Sequence, residues 1–246
     1  MALADPAEPL DDPSAPVTVP LPAALRQVVE RSQPVALAGE RSLPVAPAFD
    51  ALLPQGLRRG ATVALRRGPG ATTLALALGA AASAAGSWAA LVGPVPVNPA
   101  AAGEVGLALE RLVVVDPPAE QWSTVVAALL DAVDLVYAGA PGRVPAGDAR
   151  RLVARARERG AVLIQLPPLS RAGDDPWPAT ADHRLTVADP SWVGLGGGAG
   201  RLEARRATVV AGGRGAASRE RRARLWLPDR DGQVRACEEQ DQVQGP

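Results

Sequence analysis

The 246-residue chain contains no lysine; all 26 of its basic residues are arginine. Schiff-base and pyridoxal-phosphate enzymes need a lysine amine, and an ordinary Walker-A hydrolase needs the lysine charge on its nucleotide's β/γ-phosphates. All three are excluded. With one cysteine, Cys237, and one histidine, His183, the chain has no pair for an internal disulfide and no Cys/His cluster for zinc or nucleophilic catalysis, so no metal is expected. Aromatic residues make up only 3% of the chain, and much of its 47% hydrophobic content is alanine, which predicts a core thin in large side chains. The N-terminus carries Asp5, Glu8, Asp11 and Asp12 where a secretory signal would be basic, and no apolar run of about 18 residues occurs. A cytoplasmic protein without a membrane segment is expected.

The formal charge of zero hides a segregated pattern. Residues 1–149 hold 9 Arg against 14 acids, residues 150–225 hold 15 against 7, and residues 226–246 hold 2 against 5. A basic segment between acidic flanks suits phosphates or an acidic protein surface, or serves solubility alone in a lysine-free chain.

An aperiodic Asp/Pro/Ala stretch opens the chain over residues 1–20 and predicts disorder. A short amphipathic helix is expected over 22–31, from Leu25, Val28 and Val29 on one face. Then an α/β rhythm sets in. Strands are expected at Ala61–Leu65, Ser87–Val92, Leu112–Val115, Asp134–Gly139 and Ala161–Leu166. Helices are expected from Ala71, over Glu104–Leu109, over Ala119–Ala132 and over Ala146–Arg159. After a loop at 167–181, three alternating strands, His183–Val187, Arg201–Ala211 and Arg221–Leu227, are separated by glycine turns at 194–200 and 212–215 and predict an antiparallel addition to a mostly parallel sheet.

Strand, glycine loop and helix N-terminus follow one another at Thr62–Leu65, Gly68-Pro69-Gly70 and Ala71-Thr72-Thr73-Leu74. This is the geometry of a phosphate cradle, because backbone N–H groups and the helix dipole point into the loop. Yet alanine stands where a P-loop has lysine, and the loop is about two residues short of the pattern. The order of this loop, the preceding Ala51-Leu52-Leu53 with Gly56-Leu57 and Arg59-Gly60, the strand at 134–139 and the terminal strands resembles the RecA recombinase family over residues 45–235. Within it, Trp192-Val193-Gly194-Leu195-Gly196, Gly200-Arg201-Leu202 and Arg221-Arg222-Ala223-Arg224-Leu225-Trp226-Leu227-Pro228 resemble the ImuA accessory proteins, in their actinobacterial ImuA-prime branch. The resemblance implies a RecA-like domain over 21–235, with a P-loop-type core and C-terminal antiparallel strands, followed by a disordered acidic tail over 236–246.

It also implies what is missing. The Walker-A lysine falls on Ala71, the Walker-B aspartate falls on Gly139, and the catalytic glutamate falls in Gly93-Pro94-Val95, which has no carboxylate. Charge neutralisation, metal anchoring and water activation are lost together, so no enzyme and no cofactor are expected, although Thr72 and Thr73 can still bond an anion. Gln165 lies where recombinases carry a nucleotide-sensing glutamine; without a nucleotide it reads as a strand-end hydrogen-bonding residue. The implied role is a non-catalytic scaffold in damage-induced translesion synthesis, with an ImuB-like Y-family polymerase homologue and an alternative replicative-type polymerase as partners, and DNA as a further possible one. Candidate partner or DNA contacts are Arg219, Arg221, Arg222, Arg224 and Trp226 near the last strand and Arg150, Arg151 and Arg155 on the arginine-rich helix. Other readings are an ATP-independent DNA-binding recombination mediator, a divergent nucleotide hydrolase using Arg66 or Arg67 as its cation, and a SulA-like cell-division inhibitor. His183 reads as a strand-start polar residue, and Trp192 as packing on the sheet or its edge.

Overall fold

A computed structural model describes residues 41–95, 97–167, 177–178, 181–196 and 199–237. The expected N-terminal tail, the helix at 22–31, the tail from 238 onward and the part of the 167–181 loop holding Arg171, Asp174 and Asp175 lie outside them. The main sheet has nine strands in the order β11-β10-β9-β8-β3-β7-β6-β4-β5. Its parallel part comprises β3 (Thr62–Leu65), β4 (Ala89–Val92), β5 (Leu112–Val115), β6 (Leu135–Ala138) and β7 (Val162–Gln165), with β8 (His183–Gly196) parallel to β3. β9 (Ala199–Gly213), β10 (Arg221–Trp226) and β11 (Arg235–Ala236) extend it in antiparallel fashion. β1 (Ser42–Leu43) and β2 (Leu57–Arg58) form a separate small pair.

The strands follow from their composition. β3, β4, β6 and β7 are buried at every residue, as expected for near-continuous apolar runs covered on both faces. β5 is the edge, and its Val114 is exposed. Helix α1 (Ala71–Ala84) is apolar almost all round and buries its length against one face of the sheet, together with Leu43, Phe49, Leu52 and Leu57. Its small residues allow close approach: a Cβ at Gly79 would strike the Tyr137 hydroxyl, which donates to the Leu76 carbonyl at 3.2 Å. Burial pushes the Tyr137 phenol well above its usual range, so it stays a neutral donor. On the other face, α3 (Trp122–Ala132) and α4 (Ala146–Arg159) cover the parallel strands, with Trp122 edge-on to Trp177 at 5.5 Å.

Three expectations need correction. The short helix is α2, Pro99–Glu104, and only a 3-10 turn stands at Leu109–Arg111. Asn98 caps α2 by accepting the Ala100 N–H at 2.9 Å, and Pro99 occupies the first turn, a start signal that outweighs apolar spacing further on. The break between β8 and β9 falls within the expected 194–200, but the strands run further than expected, pairing from His183–Gly213 out to Gly196–Ala199. The pairing absorbs register shifts between Ala188 and Ser191 and between Val193 and Leu195, where Asp189 (φ +49°) and Gly194 (φ +107°) adopt left-handed conformations. Strand pairing also reaches into the expected tail: Ala236 sits opposite Leu225, and the Cys237 N–H donates to Arg224. No described helix is long and apolar enough to cross a membrane.

Candidate functional site

The loop after β3 enters α1 through Gly70, whose φ of +91° only glycine adopts freely. The Ala71 N–H is held by the Gly68 carbonyl at 3.1 Å and the Leu74 N–H by Gly70 at 2.8 Å, while Thr72 and Thr73, half-buried, lie in the first turn, whose N–H groups have no partner inside a helix. The cradle geometry is therefore present. A side chain from far along the chain packs against Gly70. A Cβ on Gly70 would lie 2.5 Å from a guanidinium nitrogen of Arg205 and 2.8 Å from its Cζ. Arg205 stands on β9, is only 7% exposed, donates from Nε to the Leu227 carbonyl at 2.6 Å, and places its guanidinium 4.9 Å from the Trp192 ring centroid. A cation at a helix N-terminus opposes the helix dipole; the carbonyl and the indole face hold it there. Burial lowers its pKa, yet a guanidinium starts so high that it stays charged.

The Walker-B position is closed by different means. Gly139, just beyond β6, donates its N–H to the Val92 carbonyl at 2.8 Å, and a Cβ there would come within 2.7 Å of a Val95 methyl. Gly93 in turn lies against the Gly139 carbonyl and the Trp122 indole. The 93–95 segment thus occupies the space that a metal-binding carboxylate would need. Ala71, at the lysine position, is 2% exposed. Arg66 and Arg67, considered above as substitute cations, are both exposed. Gln165 ends β7 beside Ala64 and Ala138, and neither atom of its buried amide has a hydrogen-bond partner among the described residues, contrary to the expected bonded strand end.

The arginine candidates do not form one patch. On β10 the side chains alternate, so Arg221 shares its face with Ala223 and the core residue Leu225. Arg222, Arg224 and Trp226 point to the other face, with Arg222 opposite Val210, Arg224 opposite Thr208 and Trp226 opposite Arg206. Arg184 of β8 lies on that same face, opposite Gly212. None of these side chains, nor Thr186, Ala188 or Val210 among them, joins either core, so among the described residues this face of β8–β10 is open. Arg184, Arg222 and Arg224 are exposed and Trp226 half-buried; Arg222 pairs with Glu220 at 2.8 Å. Arg219 precedes the strand in an exposed loop. Sequence reading missed Arg184 and Arg206, which only strand register sets on the same face as Arg222 and Arg224.

The helix arginines are spent largely within the fold. Arg155 grips Asp131 of α3 with two bonds, one from Nε at 2.6 Å, and Arg159 reaches the same carboxylate at 3.1 Å. Arg155 is accordingly held above its ordinary pKa by bonding to Asp131. Arg151 pairs with Asp148 at 3.2 Å, whereas Arg150 is exposed. Helical spacing sets Arg151, Arg155 and Arg159 toward α3 and Arg157 toward Asp182, 3.0 Å away. His183 begins β8 as expected, and burial keeps its imidazole below the usual histidine pKa.

A profile of the MT3502 N-terminal domain family matches residues 51–174, half of the chain. The chain belongs to this family. It is 39% identical over 140 residues to Uncharacterized protein Rv3395c of Mycobacterium tuberculosis (strain ATCC 25618 / H37Rv), an alignment covering 56% of this chain and 65% of that relative, less than two thirds of its length. Among solved structures, that of the RadB recombinase superposes with a TM-score of 0.54 at 16% identity, covering 78% of this chain and 97% of the other. At that identity the likeness establishes the fold, which is RecA-like. The MT3502 N-terminal domain match takes in the glycine loop, Ala71, Gly139 and α4. Arg205 and the open face of β8–β10 lie beyond it, so the guanidinium seated against Gly70 comes from outside the matched segment.

Proposed function

We propose that this protein is a non-catalytic RecA-like accessory protein of a damage-induced translesion synthesis complex, binding an ImuB-like Y-family polymerase homologue that works with an alternative replicative-type polymerase. The observation that carries the non-catalytic reading is the filled cradle: Arg205 seated against Gly70 and Val95 against Gly139. A nucleotide hydrolase must bring a mobile cation, an anchored metal and a positioned water to the γ-phosphate. Here the guanidinium beside Gly70 is fixed by a carbonyl and an indole, and a carboxylate at the metal position would collide with Val95. The ImuA-like pattern of the C-terminal strands supports the partner assignment, and the open arginine face supplies a surface for it. Guanidinium groups pair bidentately with partner carboxylates, and a half-buried tryptophan is a common interface anchor. Such a protein works in the cytoplasm, where its polymerase partners act.

Co-purification of the tagged full chain with the ImuB-like partner tests this. The complex is expected with the wild type, and the combined variant Arg222→Ala, Arg224→Ala, Trp226→Ala is expected to weaken it at least about tenfold, the loss of one good charge-assisted contact or more. A complex unaffected by the triple variant would remove the face from the assignment, and absence of any complex would remove the partner. A second reading, an ATP-independent DNA-binding mediator, is favoured by the same face, because arginines beside an aromatic suit phosphates and stacked bases. Its signature is DNA binding by the full chain that falls steeply with salt.

A further inference from the structure

At the end of the sheet opposite the cradle, where β3 and β8 begin, lies a cleft of about 440 Å³, within the size range of ligand sites. Leu52, Leu53 and Ala217 contribute to its wall, and five arginines and His183 approach it. Two of the arginines are committed: Arg59 binds Asp134 at 2.7 Å, and Arg157 binds Asp182 at 3.0 Å. Asp182, the carboxylate of the cleft, spends its other oxygen on the Thr62 N–H and hydroxyl, both at 2.9 Å. Burial alone would push its carboxyl up, but Thr62 and Arg157 outweigh that and hold it below the usual range, so it is ionised and already satisfied.

Three arginines remain. Among the described residues no carboxylate pairs with Arg58, Arg214 or Arg221, and they converge from different elements: β2, the turn after β9 and the start of β10. His183 stands at the rim; burial lowers its pKa first, and Arg221 and Arg58 lower it further against Asp182, so near neutral pH it is an uncharged donor beside the guanidinium groups. Three uncompensated guanidinium groups around one ligand-sized recess call for a compact, multiply charged anion. A carboxylate brings one charge, whereas a phosphomonoester brings close to two and three acceptor oxygens in a geometry that guanidinium forks match.

We infer that this cleft is a phosphate-binding site, independent of the degenerate cradle, that takes a phosphomonoester through Arg58, Arg214 and Arg221. The group can be carried by a small molecule or by the 5′ end of a nucleic-acid strand. The test uses the full chain and three probes: inorganic phosphate against chloride at matched ionic strength, and a fluorescent single-stranded 20-mer with and without a 5′-phosphate. Phosphate is expected to raise the melting temperature of the wild type and not of Arg214→Gln or Arg221→Gln, whose affinity should fall about tenfold or more while their melting temperature without phosphate stays near that of the wild type. If the strand end is the source, the 5′-phosphorylated 20-mer binds more tightly than its unphosphorylated twin and phosphate competes; if the source is a small molecule, phosphate acts and the two 20-mers behave alike. No phosphate effect beyond chloride, or an effect that persists in both variants, would overturn the assignment. Because Arg222, Arg224 and Trp226 are untouched, the partner complex is expected to survive these variants.

Discussion

Gln165 carries a buried amide with no hydrogen-bond partner among the described residues on either atom, at the end of a strand that lies between the strands leading to the glycine loop and to Gly139. Leaving a buried polar group unpaired costs about 1–3 kcal/mol, and replacing it by an apolar side chain of similar shape recovers part of that. Gln165→Leu is therefore expected to raise stability by about 1 kcal/mol in urea unfolding. A loss of similar size would show that the amide has a bound partner. Gln165 was legible in the sequence as a position and illegible as an environment: its place after Val162-Leu163-Ile164 puts it at a strand end, but burial at that end depends on which segments fold over it. Arg205 shows the same limit more sharply. Ala207, Val209 and Ala211 occupy the inward phase of its strand, and Arg205 falls in that phase too, so alternation contained the signal of an inward cation. What it would meet inside, Gly70 from a loop 135 positions earlier, depended on tertiary packing.

At the scale of elements, the junction of the glycine loop with α1 makes the coupling measurable. Gly70→Ala places a Cβ in a left-handed conformation and against the Arg205 guanidinium, and is expected to cost about 2–3 kcal/mol, the larger part from backbone strain and collision together. In an Arg205→Ala background the collision disappears while the strain remains, so the cost of Gly70→Ala should shrink by about 1 kcal/mol in a double-mutant cycle. Equal costs in both backgrounds would separate Arg205 from the loop. Elements whose signal is local were readable in advance: β5 and α4 match their expected bounds, because one is a run of apolar β-formers and the other alternates arginine with a narrow apolar stripe before Gly160. Elements decided by competing signals were not. Asn98-Pro99 started α2 earlier than expected, and β8 and β9 ran past their expected ends, with Gly194 absorbed at a register shift because the strands gain backbone pairing on both sides of it.

For the whole molecule, the division of labour runs along the sheet. Its parallel half, with α1 on one side and α3 and α4 on the other, is the RecA-like body that falls largely within the matched family segment. The antiparallel extension supplies the guanidinium seated against Gly70, the open arginine face and part of the phosphate cleft. The charge pattern of the chain is the trace of this arrangement, since the basic stretch from 150 to 225 covers most of α4 and of the extension. Its split into inward, outward and helix-paired arginines could not be read from composition. The central proposal is that the cradle of this RecA-like fold takes no nucleotide and that the protein works by binding other macromolecules. The most direct test is the melting temperature of the full chain carrying Arg214→Gln and Arg221→Gln, which disable the phosphate cleft, with and without saturating Mg–ATP. A cradle that takes no nucleotide predicts no change. A rise of several degrees, as expected when a ligand is present at about 100 to 1,000 times its Kd, would contradict it and show that the cradle still takes a nucleotide.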